Sequence, residues 1–177
     1  MQKKINKKSS FLHTSYFILQ KGFTLLEVIV AIFVITVGIA GTLGIIQQAI
    51  SYTQLSSSRL TANYLAQEGI EIVRNIRDTN WLEGRTNPGI TWSDGIPSGN
   101  WEADYKTQNL TRSYAGTYLN IDNSGFYSYS SGSPTKFKRK ISIAKDTDIL
   151  KISVQVEWQE RGRDYQVTVQ ENLYKWY

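Results

Sequence analysis

The chain contains no cysteine, a single histidine at position 13, and only three prolines, the first of them Pro88. Without cysteine there is no disulfide to staple a domain and no thiolate to hold a metal or attack a substrate. Beyond His13 no imidazole is available, and no glycine-rich phosphate loop opens a helix. The usual parts of metal, nucleophile–base and nucleotide chemistry are therefore missing, and neither an enzyme nor a cofactor site is expected. Charge of each sign is missing from a different stretch. Residues 1–22 contain no acid but carry Lys3, Lys4, Lys7, Lys8 and Lys21, and no Lys, Arg or His occurs between Phe23 and Ser58.

The first of these gaps explains the net charge of +5. Setting aside the five N-terminal lysines leaves fifteen bases against fifteen acids, so the basic character belongs to the leader and not to the remainder of the chain. Lysine-rich flanks stay cytoplasmic and orient the helix that follows. The N-terminus is expected inside and the C-terminus outside.

The second gap coincides with an apolar run. Residues 23–46 are almost uninterrupted in their hydrophobicity, and as a helix rising about 1.5 Å per residue they can cross a hydrocarbon core of about 30 Å. Gly38, Gly41 and Gly44 recur within it at three-residue spacing, which would let another helix approach closely or would lower local helicity. One carboxylate, Glu27, lies in the first turn of this run. An ionised side chain at membrane depth costs roughly 2.5–3.5 kcal/mol on insertion scales, so Glu27 needs a partner that its own apolar segment does not supply. Cleavage after Gly22 would create one, because it frees an ammonium on Phe23 of the same or a neighbouring subunit. A secretory signal would instead be cut behind its apolar region. Here the candidate junction precedes the run, so cleavage leaves the anchor attached.

The stretch Gly22-Phe23-Thr24-Leu25-Leu26-Glu27-Val28, followed by a span, resembles the processing site of type IV pilins and type II secretion pseudopilins. Val37-Gly38, Gly41 and Ala66-Gln67-Glu68-Gly69-Ile70-Glu71 are similar to the PilV-like minor pilins. The resemblance covers residues 21–80 well and the rest in broad pattern. It implies cleavage between Gly22 and Phe23 and N-methylation of Phe23 by a prepilin peptidase that is also the methyltransferase. It also implies an assembly role for Glu27, and a filament built from other pilin or pseudopilin subunits after residence in membrane lipid. A platform protein and a cytoplasmic assembly ATPase are implied as indirect partners. Two departures stand out: the head disulfide common in Gram-negative pilins is absent, and so is the proline that major pilins often carry in the span, which favours a minor subunit. The alternative from another class is a single-span anchored binding module for a surface, a sugar or DNA that never enters a filament.

Four segments follow from this reading: a cleaved basic leader (1–22), a transmembrane half-helix (23–46), an amphipathic half-helix (47–80) and an extracytoplasmic β head (81–177). In the second half-helix Ala62, Leu65, Ala66, Gly69, Ile72, Val73 and Ile76 recur at three- and four-residue intervals on one side. Glu71 with Arg74, and Arg74 with Asp78, are spaced to pair on the wet side. The helix is expected to end near Asp78–Trp81. Residues 79–135 read as loops with short strands. Three strands follow, in which Phe137, Ile141 and Ile143, then Ile152, Val154, Val156 and Trp158, then Tyr165, Val167 and Val169 alternate with polar residues. Gln159-Glu160-Arg161-Gly162-Arg163 supplies the hairpin glycine. The expected class is α+β: a long N-terminal helix packed against a small antiparallel sheet.

Other features admit two readings. Lys136, Lys138, Arg139 and Lys140 could attract phosphate, and hence nucleic acid, but strand alternation favours a solvated face. The aromatics Trp92, Trp101, Tyr105, Tyr114, Tyr118, Phe126, Tyr127 and Tyr129 could form a sugar-binding patch, although in a small head such residues more often build the core. Asn109-Leu110-Thr111 fits a glycosylation acceptor, and Asp146 with Asp148 a calcium site, with nothing further to support either.

Overall fold

The computed structural model describes residues 22–176, so the leader lysines and His13 lie outside the described residues. The chain divides into two units, Met1–Gln47 and Gln48–Tyr177. One helix, α1, runs from Leu25 to Gly84.

In the first unit Thr24 caps the helix. Its side-chain oxygen accepts the Glu27 N–H at 3.2 Å while its carbonyl accepts the Val28 N–H. Thr24-Leu25-Leu26-Glu27 is thus a capping-box sequence, with threonine at the N-cap and glutamate three residues on. The side chains from Phe23 to Ile46 are exposed, and α1 is long and apolar enough to cross a membrane, with a mean hydropathy of 2.6 over an 18-residue window. Its threonines fit that setting, because the Thr36 and Thr42 hydroxyls donate to the carbonyls of Ile32 and Gly38 and need no water.

In the second unit the helix buries one face, and every residue expected there is buried: Ala62, Leu65, Ala66, Gly69, Ile72, Val73 and Ile76. Ser58, Ile70 and Asn80 extend the same face. The helix continues a turn past its expected end, since residues 79–83 contain no breaker. Gly84 then closes it, and the Asn80 side chain donates to the carbonyl of Asp94 in the loop beyond.

A six-stranded antiparallel sheet covers this face. Its strands are β1 (Gly99–Trp101), β2 (Tyr118–Ile121), β3 (Tyr127–Ser128), β4 (Ser133–Lys145), β5 (Ile149–Glu160) and β6 (Arg163–Tyr174). The spatial order is β3-β2-β4-β5-β6, and β1 pairs with the far end of β4, where Trp101 lies opposite Ile141. The three long strands form the meander that the alternation predicts, with Ile141 opposite Val154 and Val154 opposite Val169. Arg161 and Gly162 both have positive φ, 51° and 75°, which is the geometry of a two-residue hairpin matched to the twist of the strands. The left-handed Arg161 is held by its guanidinium, which donates to Ser51 and Gln54 on the helix.

Helix and sheet meet closely at Gly69. A Cβ placed there would lie 2.8 Å from Val154 Cγ1 and 3.2 Å from Arg139 Cδ. Gly69→Val is therefore expected to cost about 2–3 kcal/mol through overpacking. A fall of several degrees in the melting midpoint of the full-length protein, followed by circular dichroism in detergent, checks this. An unchanged midpoint would mean that the sheet gives way at this contact.

Candidate functional site: the processing junction and its helix

Gly22 and Phe23 precede the helix as exposed, non-helical residues, and a Cβ built on Gly22 meets nothing within 4 Å. A peptidase can reach this junction without unwinding α1. Within the chain itself position 22 would accept alanine, so any need for glycine comes from whatever enzyme binds there. Four residues on, Glu27 is exposed in the first helical turn and makes no ion pair with the described residues. The role of Thr24 as N-cap escaped the sequence reading, although the Thr-x-x-Glu spacing signals it.

The second unit places the basic run differently from the sequence expectation. Arg139 is not on a solvated face: it keeps step with Phe137 and Ile141 on the inward face of β4, and its side chain is completely buried. Its guanidinium donates to Glu68 Oε2 at 2.8 Å and to the Leu65 carbonyl at 3.0 Å on the helix, and to the Ala103 carbonyl in the loop after β1. A buried cation is tolerated only with such bonds, so the apolar face of β4 carries one ion-paired arginine where the pattern suggests hydrocarbon. The lysines lie on the other face of β4, each with a partner. Lys136 is bound to Glu160 and Ser58, holding the Glu160 carboxyl below its ordinary range, whereas Lys138 and Lys140 lie over the rings of Tyr118 and Tyr114.

Two acids of the loop region are buried as structural anchors. Burial would push the Glu102 carboxyl up, but bonds from the Thr117 N–H, the Arg112 guanidinium and the Ala115 N–H outweigh it and leave the group below the usual carboxylate range. Asp104 accepts from Lys106 N–H, Thr107 and Tyr129 N–H. Tyr129 is in turn pushed up to about 12 by burial, and its hydroxyl donates to the Arg139 carbonyl. These groups brace the segment between β1 and β4. Arg74 keeps one of its two expected partners, Glu71, and in place of Asp78 bonds Glu171 of β6 at 2.6 Å, while Asp78 pairs with Arg77. Arg74 is drawn to β6 because Glu171 lies on the strand face turned toward the helix.

The aromatics divide. Trp92, Trp101, Tyr127 and Tyr129 pack against the core, while Tyr105, Tyr118 and Phe126 are exposed. Among the described residues no group of His, Asp and Glu is arranged to hold a metal ion, and Asp146 instead accepts the Thr147 N–H in the β4–β5 turn.

Residues 19–43 match the family model of the prokaryotic N-terminal methylation motif. That is the prepilin motif of type IV pilins and pseudopilins, and it spans the junction, the capping box, Glu27 and most of the apolar segment. Comparison with curated proteins and with solved structures returned no match. Over this segment the chain is similar to pilin-type precursors, and the motif implies processing by a prepilin peptidase and assembly with other pilin subunits.

Proposed function

We propose that the chain is a minor, PilV-like pilin subunit, inserted with its lysine-rich leader in the cytoplasm, cleaved between Gly22 and Phe23, N-methylated on Phe23 and drawn into a filament. The observation that carries this reading is the prepilin motif laid over an accessible junction and an exposed apolar helix. Once that helix leaves lipid its surface must be covered again, and equivalent helices of neighbouring subunits can do so, which gives lateral packing a large hydrophobic contribution. The new ammonium of Phe23 is the missing partner of Glu27. The platform protein and the cytoplasmic ATPase act on this subunit only through the assembly step.

The test is the N-terminal residue and mass of the protein purified from its native membrane. Wild type is expected to begin at N-methylated Phe23, and Gly22→Ala to remain uncleaved. Position 22 is sterically open, so that loss would reflect recognition by the peptidase and not misfolding. An intact Met1 start in wild type would overturn the reading in favour of an anchored binding module.

A further inference from the structure

The C-terminal end of α1 and the end of β6 enclose a groove that the filament reading does not use. Its walls are the indoles of Trp81, Trp92 and Trp176 with the ring of Tyr174, around a cavity of about 300 Å³. Trp176 is 67% exposed and Trp81 39%, so two indoles far apart in sequence are left open to water side by side. Trp92 instead is half-buried against the core and forms the fixed wall. A second hollow of about 560 Å³ continues from the first, sharing Trp81, Trp92 and Lys175.

The rim is charged. Arg77 lies 5.8 Å from the ring centre of Trp176 and Arg85 5.4 Å from that of Trp81, so a cation flanks each exposed indole. Lys175 joins the two hollows and Lys145 borders the second, while Asp78, paired with Arg77, is the one acid of the lining. With Arg77 neutralised by Asp78, the three remaining cations Arg85, Lys145 and Lys175 favour an anionic ligand, and flat indole faces favour rings whose C–H bonds or π-faces can stack. Sugar rings and nucleobases both stack on such walls. Asp78 separates them: an exposed carboxylate accepts hydrogen bonds from the free hydroxyls of a sugar ring, which the phosphodiester-linked deoxyribose of DNA lacks.

We propose that this groove binds an anionic polysaccharide, with sugar rings against Trp81 and Trp176, and ring carboxylates or phosphates at Lys175, Lys145 and Arg85. The site is independent of filament assembly, because an anchored head outside any filament would present the same groove.

The experiment titrates the full-length protein, in nanodiscs of zwitterionic lipid, with a short oligogalacturonate, with neutral maltohexaose and with oligothymidylate, read by calorimetry. Oligogalacturonate is expected to bind best, and more weakly as salt is raised. Trp176→Ala and Trp81→Ala should each cut its affinity about tenfold or more, as the loss of one stacking platform does. Lys175→Glu, which keeps every indole and whose backbone bond to Asp148 is untouched, should cut it comparably and leave the melting midpoint unchanged. A phosphorylated oligosaccharide run beside the uronate identifies which anion is preferred within the same proposal. Tighter binding of oligothymidylate, equal affinity of the three variants and wild type, or no binding of any anionic saccharide would each overturn it.

Discussion

Arg139→Ala is expected to destabilise the head by about 3–5 kcal/mol, the usual cost of removing one member of a buried charge pair. The variant strips the partner from Glu68, whose side chain is 31% exposed, and from the Ala103 carbonyl, and it opens a cavity between β4 and the helix. The pair is not an optimum of stability even when intact, since Arg139 Nε is buried without a hydrogen-bond partner. The double variant Arg139→Met with Glu68→Gln should therefore recover a substantial part of the loss, because both charges leave together and the volume is refilled. Denaturant unfolding of the full-length protein in detergent reads both. A loss below about 1 kcal/mol for Arg139→Ala would mean that water replaces the guanidinium at little cost.

Glu27→Ala is expected to abolish incorporation into filaments while leaving insertion and cleavage intact. The capping box gives Glu27 a second role, however, because its N–H is held by Thr24 and a glutamate at that position supports the helix start. Glu27→Gln separates the roles. Glutamine serves a capping box as well as glutamate does, but it carries no charge for the Phe23 ammonium. If the charge pair sets subunit register, both variants are processed and neither assembles. Normal assembly of Glu27→Gln would assign Glu27 to helix capping alone. The readout is the fraction of mature subunit in sheared filaments against that left in the membrane.

The local pattern made much of the fold legible. Residues 62–76 carry a helical repeat of apolar side chains, and all seven marked positions are buried. The alternation along β5 and β6 places Ile152, Val154, Val156 and Trp158 inside, and Tyr165, Val167 and Val169 half inside. Arg139 was legible by the same rule, since it keeps step with Phe137 and Ile141. Its charge and its basic neighbours pull the reading toward solvent instead. The long loop was less readable, because Glu102 and Asp104 are drawn inward by backbone N–H groups of residues 13 to 25 positions away, and no periodicity marks such bonds.

By itself the sequence determined the N-terminal methylation motif, the apolar span and the order of helix before sheet. Each of these rests on residues within a few positions of one another, where spacing and hydropathy suffice. Only the tertiary structure decided that Arg139 meets Glu68, that Arg74 prefers Glu171 to Asp78, and that Trp81, Trp92 and Trp176 share one groove. Those pairings join separate elements, so they depend on the register of the sheet and the rotation of the helix upon it, which the packing of Gly69 against Val154 helps to fix.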